Sequence, residues 1–260
     1  MAFKNKKLIS VIKTQALEYA PNECCGLVFE KTNARGFKLR IKPCKNISRN
    51  PDRHFYIAQE DIQEVLSQGK LLYFYHSHLK GDFSQADKYI ADKLKINSLL
   101  YVVEDDEFKE YSFKNVDIPL VGRPYLSGSL DCYELVKDYY QQKLNLRIES
   151  VIHPLRNINL YDPKIKQLES VVALIRKEIK LNSALDFYKQ NGFKEIQKET
   201  IKKHDIILSQ DNFLPFVYHC LVYLGENQIL HHRGGRISNI EPFTNFWRKE
   251  ARYYLRHKKL

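Results

Sequence analysis

An apolar run, Leu71-Leu72-Tyr73-Phe74-Tyr75, ends in His76-Ser77-His78. A short loop with Gly81 and Asp82 then leads to Ser84-Gln85-Ala86-Asp87. No other stretch constrains the chain as much, because it sets a strand, a loop and a helix start in one order. The run reads as a buried strand. His76 and His78 are two apart, so an extended strand end points both imidazoles the same way. Two imidazoles and a carboxylate suffice to hold a catalytic zinc with an open fourth position, and a water there would titrate near neutrality. Such a site needs a base nearby. Glu23, at the head of the strand-like run Cys24 to Phe29, is the candidate. Ser84-Gln85-Ala86-Asp87 is equally a helix capping box, so Ser84 and Asp87 also have a purely structural reading.

Glu23 with His76-x-His78…Ser84-x-x-Asp87 resembles the JAMM (MPN-plus) metallopeptidase motif. The resemblance covers about residues 1–115. It implies His76, His78 and Asp87 as ligands of Zn²⁺, Glu23 as general base and Ser84 as stabiliser of the tetrahedral oxyanion. The sequence departs from that pattern at Leu79, where the family usually has proline. Its loop before Asp87 is also two residues shorter than usual.

Patterning divides the chain. Residues 5–19 place Leu8, Ile9, Ile12, Ala16 and Leu17 on one helical face. Strands follow at 24–29 and 37–41, a loop at 43–53, a short extended piece at 54–57 and a helix at 58–68. The histidine-bearing strand and a helix at 84–95 come next, then strands at 98–104 and 108–113. That order predicts an α/β sandwich over residues 1–115. Residues 116–124, with two prolines and a glycine and no periodicity, read as a linker to a second domain at 125–260.

No apolar run is long enough to span a bilayer. The N-terminus leads into an amphipathic helix without a signal-peptide core, so the expectation is a chain made in the cytoplasm. The five cysteines, at 24, 25, 44, 132 and 220, are an odd number without metal spacing. They argue against a disulfide framework. The net charge of +11 favours polyanionic neighbours, but no nucleic-acid motif accompanies it, and no specific nucleic-acid partner is expected.

In the second domain Cys132 opens a helix, Tyr133 to Leu144. Unpaired N–H groups and the dipole at a helix start favour a thiolate, the usual way a cysteine nucleophile is activated. Phe216 to Leu224 reads as an apolar strand interrupted by His219. Gly225-Glu226-Asn227 turns it, and Gln228 to His232 returns. Hairpin pairing brings His219 near His231 or His232, and only one of those two can face inward. Thiolate, imidazole and an orienting polar group make a triad. Residues 163–191 read as helical, 205–208 as a strand, and 244–256 as a basic aromatic helix.

This half resembles the NlpC-type cell-wall peptidases, which are papain-like. The carrying residues are Tyr125…Gly128…Asp131-Cys132, His219-x-x-Val222-Tyr223-Leu224-Gly225, and His231. The resemblance implies Cys132 as nucleophile, His219 as base and then acid, His231 as the orienting residue and Tyr125 as an active-site tyrosine. Tyr133-Glu134 replace the small residues that usually follow the cysteine. The fold expectation is therefore α/β and α+β: a JAMM/MPN-like α/β sandwich followed by a papain-like NlpC-type domain.

The two motifs in this order resemble the tail tip assembly family of long-tailed phages. The resemblance implies peptidoglycan stem or cross-bridge peptides as substrates and other phage tail tip proteins as partners, in a virion tail tip. Two alternatives stay open: a structural tail-tip component with degenerate sites, and a cellular JAMM isopeptidase.

Overall fold

The computed structural model describes residues 5–33, 36–48, 50–126, 129–149, 183–210 and 217–260. The chain forms two compact units, Met1–Ile118 and Pro119–Leu260.

The first unit starts with α1, Lys6–Tyr19, capped by Asn5, whose side chain accepts from Leu8 N at 3.2 Å. The remaining elements are β1 (Cys25–Asn33), β2 (Gly36–Cys44), α2 (Gln59–Gln68), β3 (Gly69–His78), α3 (Gln85–Leu94), β4 (Asn97–Val102) and β5 (Glu107–Tyr111). The sheet order is β2-β1-β3-β4-β5. Only β3 and β4 run parallel, because α3 is the crossover between them.

Both faces of β1 are covered. Cys24 and Val28 pack with Leu8, Ile12 and Ala16 of α1, together with Tyr75 and Tyr101. Cys25, Leu27 and Phe29 pack with Ile57, Val65, Leu71 and Phe74. Burial on both faces is why the strand reads as a continuous apolar run rather than an alternating one. Tyr75 crosses directly over Gly26, where an added Cβ would stand 2.3 Å from the phenol oxygen. That hydroxyl donates to Gln15 Oε1 at 2.6 Å, and the Gln15 amide donates to the Cys25 and Cys44 carbonyls. A buried polar bridge thus ties α1 to both strands.

The second unit holds α4 (Cys132–Leu144), α5 (Ser183–Gln190), β6 (Phe193–Ile196), β7 (Ile206–Ser209), β8 (His219–Gly225), β9 (Gln228–His231), β10 (Asn239–Pro242), α6 (Asn245–Glu250) and β11 (Ala251–His257). The sheet order is β10-β9-β8-β7-β11-β6, antiparallel throughout. Helix α4 covers one face, where Cys132, Leu135, Val136 and Tyr139 meet Ile206, Leu208, Cys220, Val222 and Leu230. The other face carries Ile207, Leu221, Ile229, Phe243 and Trp247.

Three sequence expectations change. The histidine-bearing strand begins at Gly69 and carries both histidines inside it. The helix expected over 244–256 stops at Glu250, and Ala251–His257 is a central strand between β7 and β6. There Tyr253 and Leu255 turn to one face and Tyr254 to the other, a period of two that the aromatic helix pattern concealed. The expected linker is divided between the units, and from Pro119 onward it belongs to the second. Arg123 is fully buried, pairs with Asp138 at 2.6 Å and takes Ser238 Oγ on its backbone N–H. The helices expected within 163–182 lie outside the described residues.

Candidate functional site

In the first unit the end of β3 and the start of α3 meet. His76 and His78 share the β3 face that carries Phe74, and His76 stacks on Phe55 with ring centres 4.6 Å apart. Ser84 caps α3. Its hydroxyl accepts from Asp87 N at 3.1 Å, and its N–H donates to Asp87 Oδ2 at 2.7 Å. The capping box is therefore real, and it is also what aims Asp87. The same Oδ2 lies 3.5 Å from His76 Nε2 and 3.6 Å from His78 Nε2. One ligand atom from each of the three residues lies within 4.8 Å of the others. Glu23 Oε1 is 3.5 Å from His78 Nε2. The shortened loop still delivers Asp87.

The donor set fits a divalent metal. His76 is fully buried, and neither ring nitrogen makes a hydrogen bond. Two orphaned imidazole nitrogens are costly unless something occupies them. Burial drives the Glu23 carboxyl up to about 7, with Asp87 and Asp52 adding to it against His76. Burial would also raise Asp87, but His76, Ser84 and His78 outweigh it and hold that carboxyl well below the usual range. So one carboxylate is fixed as an anion and the other is poised to exchange a proton, as acid–base division of labour requires.

In the second unit Cys132 is the first residue of α4, whose cap Asp131 accepts from Glu134 N at 3.0 Å. Cys132 packs in the buried cluster that also holds Cys220 and Tyr188. His219 precedes Cys220 and turns with Leu221 to the opposite face, where its ring lies 5.8 Å from Trp247. Alternation along β8 thus sets Cys220 and His219 on opposite faces, and no thiol–imidazole hydrogen bond joins Cys132 and His219 among the described residues. His219 Nε2 instead meets His231 Nδ1 at 3.3 Å. Burial, His231 and Arg233 push His219 well below the ordinary histidine value, so it is neutral.

Three comparisons with known proteins bear on these sites. Residues 122–256 match the model of the NlpC/P60 family. The chain belongs to the NlpC/P60 family. Residues 5–116 match the model of prokaryotic homologs of the JAB domain. Tail tip assembly protein K of Escherichia phage N15 is 24% identical over 259 residues, 97% of this chain and 95% of that protein. The expected resemblance, JAB-like then NlpC-like, is the one found, and it extends over nearly the whole length. Among solved structures, an NlpC/P60 family protein from Bacillus cereus ATCC 10987 aligns at 13% identity and TM-score 0.35, over 94% of this chain and 66% of that one. A solution structure from Desulfitobacterium hafniense aligns at 21% identity and TM-score 0.33, over 42% of this chain and 89% of that one.

Within the NlpC/P60 part, the neighbouring histidines do point apart. His231 faces His219, while His232 lies by Tyr125, ring centres 5.1 Å apart. Both are nevertheless buried, because the sheet is covered on both sides. Tyr125 thus meets His232. Two residues beyond the sequence expectation complete the cluster: Glu241, with Oε1 3.3 Å from His231 Nε2, and Trp247, whose indole N–H donates to the same oxygen. Glu241 sits on a four-residue strand with polar residues at alternate positions, which is too short a signal to read without the pairing of Asn239 opposite His231.

Proposed function

We propose that this chain is a tail-tip protein of a long-tailed phage that hydrolyses peptide bonds in peptidoglycan stem or cross-bridge peptides, opening the host wall locally or processing tail proteins. Supporting the setting is the near full-length match to a phage tail tip assembly protein. Supporting the chemistry is one observation above the rest: in an NlpC/P60 chain, Cys132 stands at the start of α4, in the buried cluster of Cys220, and Cys220 adjoins a neutral, His231-paired His219.

In this reading the Cys132 sulfur attacks the scissile carbonyl carbon while His219 takes the thiol proton. The C–N bond breaks as that proton passes to the amine, leaving a thioester. Water, deprotonated by His219, then releases the acid and restores the thiol. The reading requires the Cys132 thiol to come within hydrogen-bond reach of the His219 ring when substrate is bound. Tyr125 is assigned to the wall of the same cleft.

The first unit is proposed as a zinc peptidase acting on a tail protein or an isopeptide-type bond. His76, His78 and Asp87 would hold the ion. Bound there, it would supply carbonyl polarisation and a water that titrates near neutrality. Glu23, raised to about 7, moves the proton between water and leaving group. Ser84 spends its oxygen on the helix cap and keeps its O–H to donate to an oxyanion. One observation favours a structural component without turnover: Cys132 packs in the cluster of Cys220, on the face of β8 opposite His219. Incubating the full chain and its Cys132→Ala variant with purified peptidoglycan fragments separates these. Turnover lost in the variant is expected; turnover unchanged overturns the peptidase reading.

A further inference from the structure

We propose that Glu241 is a positioning residue that fixes which nitrogen of His219 carries the proton, acting through His231. The proposal rests on the cysteine-peptidase reading and extends it by one link.

Glu241 is held at both oxygens. Oε1 accepts from Trp247 Nε1, and Oε2 accepts from Asn239 Nδ2 at 3.3 Å. The same Oε1 lies 3.3 Å from His231 Nε2, within ion-pair range though off the hydrogen-bond line. A carboxylate can only accept, so the imidazole nitrogen that faces it carries the proton. A bare nitrogen there would set a lone pair against an anion. With its proton on Nε2, His231 presents a lone pair at Nδ1. That lone pair faces His219 Nε2 at 3.3 Å, so the His219 proton is on Nε2. The nitrogen left bare on His219 is Nδ1, and the base is that atom.

Two features keep the relay in this state. Trp247 packs edge-on to the His231 ring at 4.8 Å and opposes a ring flip. Burial, with Arg233 and Arg236, outweighs Glu241 and holds His231 neutral; burial, Arg233 and His232 do the same for His219. The charged groups around the pair thus favour one neutral tautomer chain rather than an imidazolium.

The test uses the full chain with ¹⁵N-labelled histidine and reads long-range proton–nitrogen correlations of the rings at pH 7, together with kcat and KM on peptidoglycan fragments. Wild type is expected to show both His219 and His231 protonated at Nε2. Glu241→Ala is expected to mix the tautomers of both rings and to lower kcat roughly 10- to 100-fold, with KM within about twofold; removing a directly orienting group costs up to about 10⁴. Glu241→Gln keeps an accepting oxygen and is expected to restore both the tautomer pattern and most of the rate. The side chain is about one-third exposed, so the glutamine variant also controls for folding. Wild-type His231 protonated at Nδ1 overturns the proposal, as does Glu241→Ala with the wild-type tautomers. If wild type turns nothing over while the tautomers shift as expected, the relay stands and only the peptidase reading falls.

Discussion

The first unit's candidate ligands converge on one point, whereas the second unit's candidate residues are seen in two separate groups. His76, His78, Asp87 and Glu23 converge to contacts of 3.5–3.6 Å. Cys132 packs in the buried cluster of Cys220, and His219 meets His231. The difference follows from how each set is encoded. Three of the four groups in the first site come from one strand–loop–cap segment, so backbone geometry carries them together. The second site depends on long-range strand pairing, in which one residue along β8 selects the opposite face. Contiguity in sequence yields convergence that can be read locally; alternation across a sheet does not.

The largest effect that could break this contrast is at Cys132. Cys132→Ala is expected to lower kcat on peptidoglycan fragments by at least about 10³-fold, as loss of a triad nucleophile does. Cys220→Ala, which removes only the sulfur, is expected to leave kcat within about fivefold if Cys220 serves only packing. Equal losses in both variants would show that Cys220 belongs to the chemistry and that the two groups never join.

The converse test is at the metal ligands. Elemental analysis of the chain expressed with added zinc is expected to give about one zinc per chain, the occupancy of a single three-ligand site. His76→Ala is expected to give almost none. Asp87→Asn separates roles, because its amide oxygen can still accept the Ser84 N–H and keep the cap while losing the anionic ligand. Zinc retained in both variants would overturn the assembled site.

These contrasts also show where the sequence could be read. The spacing His76-x-His78…Asp87 was sufficient because strand end and capping box each impose their own geometry, and Cys132 at a helix start was legible for the same reason. The hairpin gave the pairing of His219 with His231. It could not reveal Glu241, which reaches His231 only because β10 adds beside β9. Nor could it reveal the strand at Ala251–His257, where helical and alternating patterns overlap in Ala-Arg-Tyr-Tyr-Leu-Arg-His. Arg123 looked like linker because a buried arginine is rare unless paired, and its partner Asp138 lies within the next helix.

Acid sensitivity sharpens the comparison from the second unit. His232 is fully buried, neither ring nitrogen makes a hydrogen bond, and burial with Arg123 lowers it from 6.5 to about 4. The groups bearing on it are Arg123, the backbone of Arg236, His231 and the Tyr125 ring. A depressed histidine value means that the unfolded chain binds the proton first. Stability is therefore complete above pH 6.5 and falls as pH drops towards 4, by roughly 3 kcal/mol from this residue. Trp247 is the chain's single tryptophan, and its fluorescence follows unfolding of the second unit alone. The wild-type minus His232→Phe difference should show this slope, with the like-signed contributions of His219 and His231 cancelling between the two proteins. A difference flat between pH 6.5 and 4 would remove the assignment.

The smallest expected effect probes the assembled site through its scaffold. Ser84 caps α3 and is exposed, and its hydroxyl accepts from Asp87 N. Ser84→Ala should cost about 1 kcal/mol of local helix stability, the ordinary worth of a serine cap. That corresponds to roughly fivefold faster hydrogen exchange at the first amides of α3 if these open by local fraying. Zinc content should be unchanged, because the Ser84 backbone N–H still holds Asp87 Oδ2 at 2.7 Å. Any lost peptidase rate in this variant then reports the hydroxyl's donation to the reaction and not the placement of the ligand. Loss of zinc along with the cap would instead mean that capping box and ligand set are one cooperative unit, and that the first site's assembly depends on the helix end rather than on the strand.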